Sequence, residues 1–153
     1  MIPRQADMEQ LNSSRVWLVG DCLVASAFLS YTGAFNFEMR QELMKDTWEV
    51  DLLSKSMPMS SPFLLEKLLT SDVEKAQWAG GGLPQDELSI QNGILTTRSS
   101  RYPLCIDPQQ QAVAWIKKKE SKNNLKVSTF NEADFLKHLE IAVNLGFAYL
   151  FEN

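Results

Sequence analysis

The apolar positions change their spacing partway along the chain. Residues 1–15 are polar, with no clear period, and read as a lead-in or a partial helix. From Leu18 to Tyr31 the chain is apolar on nearly every side, the pattern of a helix buried among other elements, with Gly33 as its stop. Asn36 suits a helix cap, with Glu38 in the first turn. Phe37, Leu43, Met44, Trp48 and Leu52 then follow at helical spacing, and the charges Glu38, Arg40, Lys45 and Asp46 fall mostly off that face. Met57-Pro58 ends this segment. Ser61-Pro62 predicts another helix start, followed by Leu64, Leu65, Leu68 and Leu69. Ser71–Glu74, "SDVE", is a capping-box pattern for a short helix through Trp78, which Gly80-Gly81-Gly82 should stop as a hinge.

Beyond Pro84 the pattern shortens. Ile94–Thr97 is brief and β-branched, and Tyr102–Ile106 is a compact apolar run that predicts a buried strand. Gln109–Lys119 predicts a helix with Ala112, Val113 and Ile116 on one side. Leu125–Phe130 alternates as a strand does. Asn131–Asn144 predicts an amphipathic helix carrying Phe135, Leu136, Leu139 and Val143, ended by Gly146, and Phe147–Phe151 predicts a further buried strand. The expected class is α/β: an N-terminal helical segment, then β-α-β-α-β, the repeating unit of a parallel, doubly wound sheet.

Composition narrows the function. With 153 residues, 44% apolar and 22% charged, the chain has the length of one ordinary domain. A net charge of −4 argues against a nucleic-acid partner. Cys22 and Cys105 sit in apolar runs, far apart, and are expected to be reduced core residues. His138 is the single histidine and cannot build a histidine metal cluster. Val16–Phe35 is long enough to span a bilayer, but Asp21 inside it would cost roughly 2.5–3.5 kcal/mol on insertion scales. The stretch also starts too far in, with too weak a basic flank, for a secretion signal. A buried helix is therefore expected, with no membrane partner.

The strand-to-helix junction "CIDPQQQ" occupies the place where a nucleotide-binding protein carries its phosphate loop. Such a loop needs glycines so that backbone N–H groups can wrap phosphate, a lysine for the outer phosphates and a hydroxyl for magnesium. Asp107, Pro108, Gln109 and Gln110 supply none of these. Asp107 instead suits a helix cap, Pro108 the first helical position and Gln110 the third position of a capping box, so the helix would carry its own anion. The triple glycine has neither a preceding strand nor a following Gly-Lys-Ser/Thr. In ATPases of this topology the third strand ends in two acids, one for magnesium and one to orient water. Here Glu152 could hold a metal, but Asn153 cannot act as a base. Cys105 with His138 is a conceivable nucleophile–base pair, outweighed by two unrelated residues. Ile116–Lys122, "IKKKESK", suits a solvated helix C-terminus better than a tubulin or phosphate patch.

Three long runs, "LVGDCLVASAFLSYTGAF" (18–35), "GLPQDELSIQNGILTTRSSRYPLCIDPQQQAVAWIKKKE" (82–120) and "FLKHLEIAVNLGFAYLFEN" (135–153), closely resemble the fifth AAA+ module of axonemal dynein heavy chains. The resemblance covers about Leu18–Asn153. It implies an incomplete AAA+ (P-loop-NTPase-like) sheet: residues 1–17 an unmatched lead-in, 18–82 a helical segment following the stalk base, and 83–153 the first half of the α/β subdomain. It also implies a structural, non-hydrolysing piece of a minus-end-directed microtubule motor of cilia and flagella. ATP and magnesium would belong to other modules, and none would be a cofactor of this chain. The partners would be the rest of the motor ring and other dynein chains, with microtubules reached only through the parent heavy chain, in the cytoplasm and the axonemal cytoskeleton. The alternatives are a degenerate nucleotide-binding domain and a module that binds dynein subunits. AAA+ sheets place the fourth strand between the first and the third, so Tyr102–Ile106 and Phe147–Phe151 should flank an empty slot. The isolated chain is therefore expected to be poorly stable or to pair with another chain.

Overall fold

The computed structural model describes residues 3–152, with side chains described from Arg15 onward. Helix α1 (Pro3–Tyr31) absorbs the polar lead-in and continues through the apolar run. A 3-10 turn, Thr32–Ala34, follows. Next come α2 (Phe37–Gln41), a π-helical stretch Glu42–Glu49 and α3 (Val50–Ser54). Helices α4 (Leu65–Leu69), α5 (Asp72–Gly81), α6 (Glu87–Arg98) and α7 (Gln111–Glu120) lead to β1 (Lys126–Ser128), α8 (Phe135–Leu145) and β2 (Tyr149–Phe151). The strands pair in parallel, with Val127 opposite Leu150, so β1-α8-β2 is a parallel crossover unit. A mostly helical chain with a short parallel sheet is an incomplete AAA+-like α/β fold.

The chain divides into two compact units. The first reaches to Lys75 and takes in Pro84–Leu104. Its core is Val24, Ala25 and Phe28 of α1, Leu65 of α4, Ile90 and Ile94 of α6, and Met44, Leu52 and Met59 between them. Phe28 is fully buried, and such a side chain gains about 1.5–3 kcal/mol over exposure. At Gly20 α1 comes so close to the loop after α3 that an added Cβ would lie 2.5 Å from the Pro58 carbonyl oxygen. One residue on, the buried Asp21 carboxylate accepts the Ser60 N–H at 2.8 Å and the Ser60 hydroxyl at 2.5 Å.

The α1 region departs from a helix buried on all sides. Arg15–Ala34 is long and apolar enough to cross a membrane by length and composition. Within it one face is buried, while Val16, Trp17, Leu18, Val19 and Leu23 are exposed. Gly33 lies inside the 3-10 turn, without the positive φ of a glycine stop. Arg40, expected on a solvated face, is only 4% exposed. Its Nε donates to the Thr32 and Phe35 carbonyls, its Nη1 donates to Asn92 Oδ1 at 2.9 Å, and the guanidinium lies over the Phe28 ring. Asn36 caps α2 as expected, accepting from Met39 N at 2.9 Å.

The capping box at Ser71 forms in both directions: Glu74 N donates to Ser71 Oγ, and Ser71 N to Glu74 Oε2. Other boundaries differ. The helix predicted from Ser61-Pro62 begins only at Leu65. Gly80 and Gly81 are helical, so the expected three-residue hinge reduces to Gly82, at φ +103°. Ile94–Thr97 belongs to α6. The hydroxyls of Thr96 and Thr97 donate to the Asn92 and Gly93 carbonyls four residues back, so these β-branched residues fit a helix.

The second unit comprises Ala76–Leu83 and the chain from Cys105 onward. Trp78 and Trp115 meet edge to face at 5.8 Å, and Gly81 gives Trp115 room, since a Cβ there would lie 2.8 Å from its ring. Gly146 ends α8 at φ +70°, with Phe147 N donating to Ala142 O. α8 turns Ala142 inward, while Leu136 and Val143, expected on its apolar face, are exposed. Tyr102–Ile106, expected as a buried strand, is neither buried nor paired in the sheet, which holds β1 and β2 only among the described residues. The expected β-α-β-α-β is thus β-α-β. Cys22 and Cys105 are both exposed, not core.

Candidate functional site

The junction before α7 is built from one turn. Ile106 ends an irregular segment, Gln110 N donates to the Asp107 carbonyl at 3.1 Å, and Gln110 takes a left-handed conformation, φ +57°. The helix then starts at Gln111, two residues later than expected. Asp107 nevertheless supplies the cap. Its Oδ1 accepts Gln111 N at 3.0 Å and its Oδ2 accepts Val113 N at 2.9 Å. Both carboxylate oxygens thus hold first-turn N–H groups of the kind that otherwise bind phosphate. Pro108 and Gln109 lie exposed in the turn, not in the helix. Gln110 does not reach back as a capping box requires, because its backbone has turned left-handed.

The far end of the site is also occupied. Glu152 Oε1 lies 2.5 Å from Lys117 Nζ, and Glu152 N donates to the Ser128 carbonyl of β1. Asn153 lies outside the described residues. Among the described residues no group of three or more His, Cys, Asp or Glu could hold a metal. Lys118 donates to the Gly80 carbonyl, and Lys119 pairs with Glu120. The Asn123 amide, then Lys119, holds the Glu120 carboxyl below its ordinary range. The basic run at the end of α7 is therefore engaged with its own unit. His138 and Cys105 are both exposed, on α8 and in the irregular segment before α7.

The first unit contains a cavity of about 330 Å³ that no sequence motif announces. Met44, Leu65 and Ile90 line it together with Gln41, Glu87 and Gln91. Both glutamine amides donate to Glu87 Oε1, at 2.6 and 3.2 Å, and both amide oxygens are buried without a partner. The only sequence trace of this cluster is the four-residue spacing of Glu87 and Gln91 on one helix. It offers no nucleophile beside a base.

A parallel β-α-β unit, preceded by a helix whose N-terminus holds its own carboxylate, belongs to an incomplete AAA+-like α/β fold. Comparison with known proteins gives the family. Residues 76–153 match the family described as the ATP-binding dynein motor region, and the chain belongs to it. It is 57% identical over 147 residues to human dynein axonemal heavy chain 10, covering 96% of this chain. It is 56% identical over 148 residues to the dynein-1-alpha heavy chain of the flagellar inner arm I1 complex of Chlamydomonas reinhardtii, again covering 96% of this chain. Human dynein axonemal heavy chain 8 is 45% identical over 136 residues, covering 89% of it. The chain spans 3% of the length of each of these relatives.

Proposed function

We propose that this chain is a structural, non-hydrolysing segment of an axonemal dynein heavy chain, corresponding to the start of its fifth AAA+ module. Residues 18–82 are the helical segment after the stalk base, and 83–153 the first half of the α/β subdomain. The observation that carries the reading is the double acceptance by Asp107, which leaves the α7 N-terminus facing a carboxylate where ATP would need open donors. Asp107, Pro108, Gln109, Gln110, Glu152 and Asn153 are the positions of the lost nucleotide site. Its partners are the rest of the motor ring and other dynein chains, and it reaches microtubules only through the parent chain. Its place is the axoneme of cilia and flagella. Titration with a fluorescent ATP analogue and magnesium tests this. No saturation through the micromolar range is expected, with helical circular dichroism confirming a folded sample. Saturable micromolar binding would overturn the reading in favour of a surviving nucleotide site.

A further inference from the structure

The cavity of the first unit is lined by residues 41–94 alone, and its volume of about 330 Å³ is that of a site for a small ligand. Met44, Leu65, Ile90 and Ile94, all buried, form its apolar side. One wall is the π-helical stretch Glu42–Glu49, a rare conformation that recurs at functional sites. The polar side is short of donors. Glu87 Oε1 accepts the Gln41 amide at 2.6 Å and the Gln91 amide at 3.2 Å. An ionised carboxylate only accepts, so it holds both NH2 groups toward itself and fixes the orientation of both amides. Their oxygens are left buried with no donor, and Gln91 is only 3% exposed. A buried acceptor without a partner is costly, and a ligand that brings the donor removes that cost. The charge has the same sense. Glu49, Glu66 and Glu87 line the cavity with Lys45. Glu66 pairs with Lys75 at 3.3 Å, which leaves two carboxylates against one ammonium.

We propose that this cavity binds a small free molecule carrying a guanidinium group on a short alkyl stem. The stem packs on the apolar side, as Met44 and Ile90 require. The planar head presents five N–H donors in a rigid fork, enough to serve two separate amide oxygens and a carboxylate together. An ammonium has three donors on one point and serves separated acceptors less well. An alcohol of the same size brings a single donor, and a carboxylate would set acceptors against acceptors. The ordering guanidinium, ammonium, then neutral or anionic ligand is therefore the signature of this site, whereas a merely apolar cavity would not separate them.

Nitrogen-15 NMR titration of the full 153-residue chain with n-butylguanidinium tests this, with n-butylammonium, n-butanol and butyrate as comparisons. The expected result is saturable shifts at the Gln41 and Gln91 side-chain amides, with a dissociation constant on the order of 1 mM. Binding should be several-fold weaker for n-butylammonium and should not saturate for n-butanol or butyrate. Gln91→Leu keeps the bulk and removes an acceptor, so affinity should fall about 10-fold while the melting temperature holds or rises, since a buried unpaired oxygen is gone. Gln41→Met, at a half-buried position, is the milder second variant and should also weaken binding several-fold. No saturation by n-butylguanidinium through about 20 mM would overturn the proposal. So would equal binding of n-butanol, which needs only an apolar cavity, or a Gln41→Met chain that binds as the parent does.

Discussion

Arg40 shows how far one side chain can depart from its expected place. Among charged residues spaced for a solvated face, it turns inward and is held by neutral groups: two carbonyls, one amide oxygen and the Phe28 ring. Burial lowers its pKa, yet a guanidinium keeps its proton at any physiological pH. It fixes the turn between α1 and α2 by donating to the Phe35 carbonyl and by adding a second donor to the Thr32 carbonyl, which also accepts Phe35 N. Arg40→Met should cost about 2 kcal/mol in urea unfolding, since the Phe35 carbonyl and the Asn92 amide oxygen would lose this donor. Arg40→Lys should recover less than half of that, because an ammonium cannot fork between separate acceptors. A loss below about 1 kcal/mol for Arg40→Met would remove this role. Gly20 makes a second residue-scale case. Alanine is the better helix former by about 1 kcal/mol, but its Cβ would lie 2.5 Å from a backbone oxygen. Gly20→Ala should therefore lower the melting temperature instead of raising it.

Helix α6 carries the clearest pH dependence at the scale of an element. Asp86 accepts Ser89 N at 2.9 Å and the Ser89 hydroxyl at 2.7 Å. The Ser89 side chain, then its backbone N–H, holds the carboxyl below its ordinary range. A depressed carboxylate stabilises the fold above its unfolded pKa of about 3.9, and that contribution is lost as pH falls through the lower folded value. Asp86→Asn keeps a capping oxygen and removes the charge, so the acid limb of a melting curve between about pH 5 and pH 2 should flatten. An unchanged acid limb would place the dependence on other carboxylates. The same helix shows why its sequence misleads. Ile94–Thr97 has strand-forming residues, whereas the signals for a helix lie upstream, in the Asp86–Ser89 cap, and in hydroxyls that fold back onto the helix. The Ser71–Glu74 box and the Asn36 cap were legible because each is a local pattern that needs no distant partner. Asp107 was legible as a cap but not in its geometry, since a left-handed Gln110 shifts the helix start.

Across the whole molecule, the family was legible and the sheet only in part. Long specific runs carry family identity, and the helices begun by the Asn36 cap and the Ser71–Glu74 box form where expected. A strand depends on a neighbour, and Tyr102–Ile106 has apolar alternation but no adjacent strand among the described residues. The same logic sets where stability resides. Amides in α1 around Val24–Phe28 and in α6 around Ile90–Ile94 surround the most buried side chains and should exchange slowest. Those of β1 and β2, in half-buried three-residue strands, should exchange much faster when the chain is monomeric. Equal protection in both regions of a monomer would show that the sheet does not need a further strand.

The Asp107 carboxylate also has a consequence in terms of concentration. It is tethered four and six residues from the N–H groups it holds, so its effective concentration at the start of α7 is fixed by the chain at millimolar or above. A dissolved phosphate would have to displace an anion that the chain itself keeps in place. This end of the segment should therefore be insensitive to the local rise and fall of ATP.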